Sequence, residues 1–273
     1  MENSDGVPGT VAEHGLSFLV ERDGRAVLFD TGKTGVFVDN ARALGVDLSA
    51  AEALAVSHGH YDHGGGVRAL LERTGFRGPV WTGSGFFDKK WSIDPEGPRY
   101  TGVDFDPDFL AAHGCIWNPV SASPDKTVRR EILPGLHVVN GFPRLRPIEA
   151  RNPRFVVDRG GARVNDDFSD EVCLAAEVGG GVAVILGCAH PGLMNMLEAV
   201  STVFGKPIAA VFGGSHLVEA DAERIQSTIA FLSGTGCSPA ALGHCTGERG
   251  SAALAAALPA FRPLSVGAAF DLR

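Results

Sequence analysis

Ser57-His58-Gly59-His60-Tyr61-Asp62-His63-Gly64-Gly65-Gly66 places three of the chain's nine histidines and a carboxylate within a few residues of one another. The stretch follows a short apolar run, Ala53-Leu54-Ala55-Val56, that reads as the end of a buried strand. Imidazole nitrogen and carboxylate oxygen are donors that Zn²⁺ and similar divalent cations accept. On a loop, H-x-H-x-D-H spacing lets alternate side chains converge on one point while the next pair turns to a second. A polar loop that merely happens to be rich in histidine is the plainer alternative. Four donor-type residues between a strand and a run of glycines make a metal site the better reading.

The C-terminal third repeats one theme. Strands expected at 182–186, 208–212 and 239–242 end in Gly187-Cys188-Ala189-His190, Gly213-Gly214-Ser215-His216 and Gly243-His244-Cys245, with helices at 193–204 and 222–232 between them. Side chains just past the carboxyl ends of neighbouring strands share a crevice in α/β sheets, which is where ligands bind. Any one of these histidines could be an ordinary surface or core residue. Three in the same topological place, added to the H-x-H-x-D-H loop, are expected to converge.

Upstream, strands at 16–20 and 25–30 flank the turn Asp23-Gly24, and the second ends in Asp30-Thr31-Gly32. A phosphate loop around Gly32-Lys33-Thr34 fails because Val27 stands where the pattern needs glycine. An aspartic protease needs two such carboxylates, and no second Asp-Thr-Gly exists, so a protease would have to be a dimer. Asp30 is therefore read as a carboxylate beneath the metal loop that orients the ligands. A helix at about 36–44 fills the gap and another, at 65–73, leaves the loop. Residues 82–130 are the least periodic part, interrupted by Pro95, Pro98, Pro107, Pro119 and Pro124, and are expected to form an irregular insertion or lid on a single domain spanning 1–273. His137 points out of an apolar strand and reads as structural. Arg144, Arg146, Arg151, Arg154, Arg159 and Arg163 cluster in 141–171 and could recognise an anionic substrate, although a solvated loop face is the simpler fate.

With 273 residues, 44% of them hydrophobic, the chain suits one large layered domain or two small ones. A net charge of −8 without a basic run argues against nucleic acid as the main partner. No apolar stretch approaches the ~18 residues of a membrane span. The N-terminus, Met1-Glu2-Asn3-Ser4-Asp5, is polar rather than signal-like, and five cysteines without a C-x-x-C pair fit a reduced, cytoplasmic protein. A small-molecule, anionic substrate is the expected partner, and homo-oligomer formation is left open.

The order of strand, H-x-H-x-D-H and glycine-rich helix start resembles the metallo-β-lactamase superfamily. Glu13-His14-Gly15-Leu16-Ser17, Phe29-Asp30-Thr31-Gly32, Gly187-Cys188-Ala189-His190-Pro191-Gly192, Gly213-Gly214-Ser215-His216-Leu217 and His244-Cys245-Thr246-Gly247 look like one branch of it. Its members are often labelled 7,8-dihydropterin-6-yl-methyl-4-(β-D-ribofuranosyl)aminobenzene 5′-phosphate synthase-like. The resemblance covers the chain from residue 11 onward and implies an α/β protein, an αββα four-layer sandwich. It implies His58 and His60 on one metal, and Asp62 and His63 on a second. Three features depart from the branch. Its usual opening strand is absent or the start is assigned too late. Ala189 and Ser215 replace a serine and a phenylalanine. Cys188 stands where many relatives carry a bridging Asp, which makes His190 the candidate for the missing ligand and Cys188 the lesser one.

On this resemblance, two divalent cations are expected, zinc first, with iron, manganese or nickel as alternatives. They would sit at His58/His60/His190 and at Asp62/His63/His244. A water between them would be acidified and serve as the hydroxide nucleophile on an ester or phosphoester, making the chain a metal-dependent hydrolase. Asp62 would ligate and accept a hydrogen bond from that water. His216 or His14 would protonate the leaving group or hold a phosphate. A pterin-related, phosphate-releasing synthase reaction, or iron-dependent oxygen chemistry, would use the same parts. His216, one strand further out than His190, is expected to face substrate rather than metal.

Overall fold

In the computed structural model, which describes residues 1–123 and 126–272, the first half runs β1 (Phe18–Arg22), β2 (Arg25–Phe29), α1 (Val36–Ala43), β3 (Ala53–Ala55), α2 (Tyr61–Gly64), α3 (Val67–Thr74), β4 (Val80–Gly83), β5 (Lys89–Asp94), β6 (Gly97–Tyr100), α4 (Pro107–Ala112) and β7 (Trp117–Val120). The second runs β8 (Val128–Leu133), β9 (Leu136–Asn140), β10 (Phe155–Arg159), β11 (Ala162–Asn165), β12 (Val172–Val178), β13 (Gly181–Ile185), α5 (Leu193–Phe204), β14 (Ile208–Gly213), α6 (Ala222–Thr235), β15 (Ala240–Leu242), α7 (Gly247–Ala257) and β16 (Phe261–Pro263). Among the described residues the strands form sheets ordered β1-β2-β3-β4-β7, β11-β10-β5-β6 and β16-β15-β14-β13-β12-β9-β8.

Alternation along the central strands builds the layers. Successive side chains point to opposite faces of a strand, so β2 sends Val27 and Phe29 one way and Leu28 the other. The same holds in β13, where Ala183 and Ile185 oppose Val182 and Val184. Val27, Phe29, Ala53 and Ala55 meet Leu174, Ile185, Ala210 and Phe212 between the two larger sheets. Leu28 and Leu54 pack outward with Phe37 and Val38 of α1 and Leu70 and Leu71 of α3. Val182 and Val184 pack outward with Leu197 and Val200 of α5, Ile225 and Leu232 of α6 and Leu254 of α7. Small residues face inward at Ala53, Ala55, Ala183 and Ala241, letting the sheets approach, while large residues fill the space under the helices. The result is the expected αββα sandwich.

The segment 82–130 carries β5, β6, α4 and β7, and Pro124 and Asp125 lie outside the described residues. Its periodicity is weak because β5 and β6 join β10 and β11 in a small sheet whose outer strands are largely exposed. Pro98 and Pro119 fall within β6 and β7, both at sheet edges, where a missing N–H is tolerated. No helix among the described residues is long and apolar enough to cross a membrane.

Candidate metal centre

Parallel pairing aligns the ends that matter. β2 lies parallel to β3, and β13, β14 and β15 are mutually parallel in sequence. Asp30 follows β2, and the loop carrying His58 and His60 follows β3 and runs into α2 with Asp62 and His63. His190, His216 and His244 follow β13, β14 and β15. All six candidate ligands, His58, His60, Asp62, His63, His190 and His244, are buried at one edge of the sandwich.

Among the described residues, six non-glycine residues have left-handed backbone, and of these only Asp23, in the β1–β2 turn, lies away from this edge. The others are Asp30, Phe168, Ala189, His216 and His244. Strained backbone of this kind persists where the surroundings over-determine it, and it clusters at functional sites. Gly59, between His58 and His60, is required by close approach: a Cβ there would lie 2.2 Å from the Phe86 carbonyl oxygen.

Hydrogen bonds on one side of each ring decide which lone pair is left. His63 donates from Nδ1 to Asp30 Oδ2 at 2.7 Å, and His244 donates from Nδ1 to Asn3 Oδ1 at 2.9 Å. Ser57 donates its hydroxyl to Asp30 Oδ2 at 2.9 Å, so that its oxygen can accept from His58 Nδ1, also at 2.9 Å. Ser57 N–H fixes the other Asp30 oxygen at 2.6 Å. Each of the three imidazoles is thereby left with an Nε2 lone pair aimed inward.

Those lone pairs meet one another. His63 Nε2 stands 3.2 Å from His244 Nε2, and Asp62 Oδ2 is 3.4 Å from His244 Nε2 and 3.9 Å from His63 Nε2. For bonds of about 2.1 Å, donors around a tetrahedral cation stand roughly 3.4 Å apart. Beside them, His58 Nε2 is 3.0 Å from His60 Nδ1, and His58, His60 and His190 offer donor atoms all within 4.8 Å of one another. His190 Nε2 is buried with no hydrogen-bond partner among the described residues. Cys188 Sγ stands 3.2 Å from His63 Nε2, between the two groups.

Electrostatics suit a cation. Burial pushes His58 and His190 well down and His60 down to about 3, so these rings are neutral acceptors. Burial opposes ionisation of Asp62, but His63, His14 and His244 hold its carboxyl well below the usual range. His63 is likewise opposed by burial and raised by Asp30 and Asp62. Convergent lone pairs, an ionised carboxylate and an orphaned buried nitrogen fit a divalent ion; otherwise the facing Nε2 atoms must share a proton.

His14 is exposed at the rim, its Nε2 3.1 Å from Asp62 Oδ2 and its ring stacked on His244. His216 stands apart from the donor groups, its ring centre 4.5 Å from that of His190 and its pKa lowered by burial to about 4. His190 and His216 line a cleft of about 240 Å³ together with Phe155 and Phe168. Phe168 lies flat on the His190 ring at 4.0 Å.

Several contributors escape a reading of the sequence. Glu2 accepts a hydrogen bond from His244 N–H, and Asn3 orients the same residue's ring, from a segment that reads only as a polar end. Glu171 accepts from Ala189 N–H at 2.7 Å and His190 N–H at 3.0 Å, fixing the bend that carries His190. Lys90, wholly buried, pairs with Asp166 and Asp170 at 2.9 Å each, and Asp170 accepts from Gly59 N–H at 2.8 Å. The arginine cluster is mostly committed elsewhere. Arg146 pairs with Glu198, Arg154 with Glu219, Arg159 with Asp88 and Asp167, and Arg163 with Asp158. Arg144 donates to the Asp167 carbonyl, and Arg151 is exposed. His137 is buried against Phe204, with Nε2 3.2 Å from Glu177. All five cysteines are buried and free of disulfides.

The family model of the metallo-beta-lactamase superfamily matches residues 11–112. A crystal structure described as a metal-dependent hydrolase of the beta-lactamase superfamily superposes with a TM-score of 0.82 at 30% identity, covering 99% of this chain and 96% of that one. A Methanocaldococcus jannaschii protein named 7,8-dihydropterin-6-methyl-4-(beta-D-ribofuranosyl)-aminobenzene-5'-phosphate synthase is 28% identical over 253 residues, 86% of this chain and 82% of that protein. The Zn²⁺-bound PqqB of Methylobacterium extorquens shares the fold at 16% identity, with a TM-score of 0.56 over 94% of this chain and 87% of its own.

Proposed function

The chain belongs to the metallo-beta-lactamase superfamily, and on that premise we propose that it is a metal-dependent hydrolase of an ester or phosphoester-type small molecule. The observation that carries the proposal is the approach of His63 Nε2, His244 Nε2 and Asp62 Oδ2 to one point, beside a second point shared by His58, His60 and His190. In this reading His58, His60 and His190 hold one divalent ion, zinc in the first instance, and Asp62, His63 and His244 a second, with Cys188 the alternative donor between them. When bound, such ions supply Lewis acidity towards a carbonyl or phosphoryl oxygen and lower the pKa of water.

The chain's own residues supply the rest. Asp30, through Ser57 and His63, and Asn3, through His244, keep the ring tautomers that leave Nε2 free. Asp62 faces the centre as an ionised acceptor and orients the attacking water's proton. His14, hydrogen-bonded to Asp62 from the solvent side, moves protons between the centre and water. His216 and Phe168 face the cleft and position the substrate beside His190. Phe155 shields the inner wall.

A second reading rests on the name of the Methanocaldococcus relative: a condensation that releases phosphate and uses the same donors. One experiment separates the two. The protein, loaded in turn with zinc, iron, manganese and nickel, is assayed on phosphodiesters, phosphomonoesters, lactones and thioesters. A parallel assay follows phosphate release from pterin-type substrate pairs. Metal-dependent turnover of the esters supports hydrolysis. Phosphate release only when both condensation partners are present supports the synthase. No bound metal under any loading refutes both.

A further inference from the structure

Arg224, the third residue of α6, lines the cleft beside His190 and His216. It sits where a cation is unfavourable, because the first turn of a helix is the positive end of its dipole. Among the described residues, four arginines carry a buried side-chain nitrogen without a hydrogen-bond partner: Arg22, Arg144, Arg154 and Arg224, at Nε in all but Arg144. Arg22 bonds through another nitrogen to the Glu177 carbonyl, Arg144 to the Asp167 carbonyl, and Arg154 pairs with Glu219. Among the described residues, the Arg224 side chain makes neither a hydrogen bond nor an ion pair.

The nearby carboxylates do not answer for it. Glu149 feels the Arg224 charge, but both its oxygens accept backbone N–H groups, from Met194 and Asn195, each at 2.9 Å. Glu219, the acidic group of the cleft wall, is engaged by Arg154 and accepts from Asn152 Nδ2 at 2.6 Å. A half-buried guanidinium with unmet donors has a strong need for an acceptor. Arg224 shares the lining of the cleft with Phe155 and Phe168.

From these contacts we infer that Arg224 is the anion-binding residue of the cleft, receiving an oxyanion (a phosphate monoester or a carboxylate) of a substrate whose apolar part packs on Phe155 and Phe168. The assignment rests on the cleft being the substrate site of the proposed enzyme. It names the group that makes an anionic substrate preferred, which the arginines of 141–171 do not, since most of them are already paired.

Binding tests it without reading turnover. Phenylphosphonate, benzoate and neutral benzamide are titrated calorimetrically into metal-loaded wild type, Arg224→Gln and Arg224→Lys, after metal content and melting temperature are matched. At least one anion should bind the wild type about tenfold or more tightly than Arg224→Gln, with Arg224→Lys intermediate. Benzamide should be unaffected. The anion that loses more identifies phosphate or carboxylate as the group received. Equal anion affinity in wild type and Arg224→Gln, equal losses for benzamide, or no anion binding to wild type overturns the inference. Should Arg224→Gln fail to fold, Arg224→Lys decides by the same comparison. A protein that binds the anion through Arg224 yet hydrolyses nothing leaves this inference standing and removes the hydrolase reading.

Discussion

His63 and His244, 181 residues apart in the chain, bring their Nε2 atoms to 3.2 Å while Asp30 and Asn3 hold their Nδ1 protons on the far sides. Two lone pairs so aimed need a proton or a cation between them. His63→Ala and His244→Ala should each reduce bound metal and lower turnover by more than about 100-fold, with little change in circular dichroism. Full metal content and activity in either variant refutes the shared site.

His190 and His216 separate metal from substrate. Both residues line the cleft, but His190 Nε2 is buried beside His58 and His60 without a hydrogen-bond partner among the described residues, whereas His216 stands near Glu219. His190→Ala should lose metal, and His216→Ala should keep it while losing turnover. A metal titration of both purified variants decides, and stoichiometric binding by His190→Ala together with loss in His216→Ala reverses the roles.

Asn3 is exposed; its Oδ1 accepts from His244 Nδ1–H and from Gly15 N–H, and its Nδ2 donates to His14 Nδ1, so its removal tests the polar tie that orients His244. Asn3→Ala should weaken metal binding about 10- to 100-fold and leave the melting temperature of the metal-free protein unchanged. Asn3→Asp, which keeps an acceptor for His244 Nδ1–H, should restore most of the affinity. An unchanged metal affinity in Asn3→Ala removes Asn3 from the centre.

Gly59→Ala should disturb the loop itself. Its Cβ would meet the Phe86 carbonyl oxygen, which is backbone and cannot step aside as a flexible side chain would. A destabilisation of about 1–3 kcal/mol is expected, together with weakened metal binding, because His58 and His60 flank the displaced residue. Thermal melts with and without metal read both effects, and wild-type behaviour in both contradicts the packing argument.

Lys90→Met removes the cation paired with both Asp166 and Asp170 and leaves two buried carboxylates without it. Breaking a buried pair in this way costs about 3–5 kcal/mol. The triple variant with Asp166→Asn and Asp170→Asn should recover much of the loss, since an amide oxygen can still accept from Gly59 N–H. Denaturant titrations of the three proteins test this, and a Lys90→Met protein as stable as wild type rejects it.

The residues that meet at the sheet edge were legible in the sequence wherever chemistry and strand periodicity coincide. His58, His60, Asp62 and His63 follow one apolar strand, and His190, His216 and His244 each follow another, so topology alone carries them to one edge. Near-continuous apolar runs such as Arg25–Phe29 and Gly181–Ile185 likewise mark strands covered on both faces, as a sandwich requires. Strands β5 and β6 were not legible, because a small, half-exposed sheet imposes little apolar alternation. Nor were Asn3, Glu171, Lys90 and Arg224. Nothing local distinguishes them from other polar residues, and their meaning comes from partners such as His244, the His190 backbone, Asp170 and the open cleft, which only the tertiary fold brings within hydrogen-bonding range.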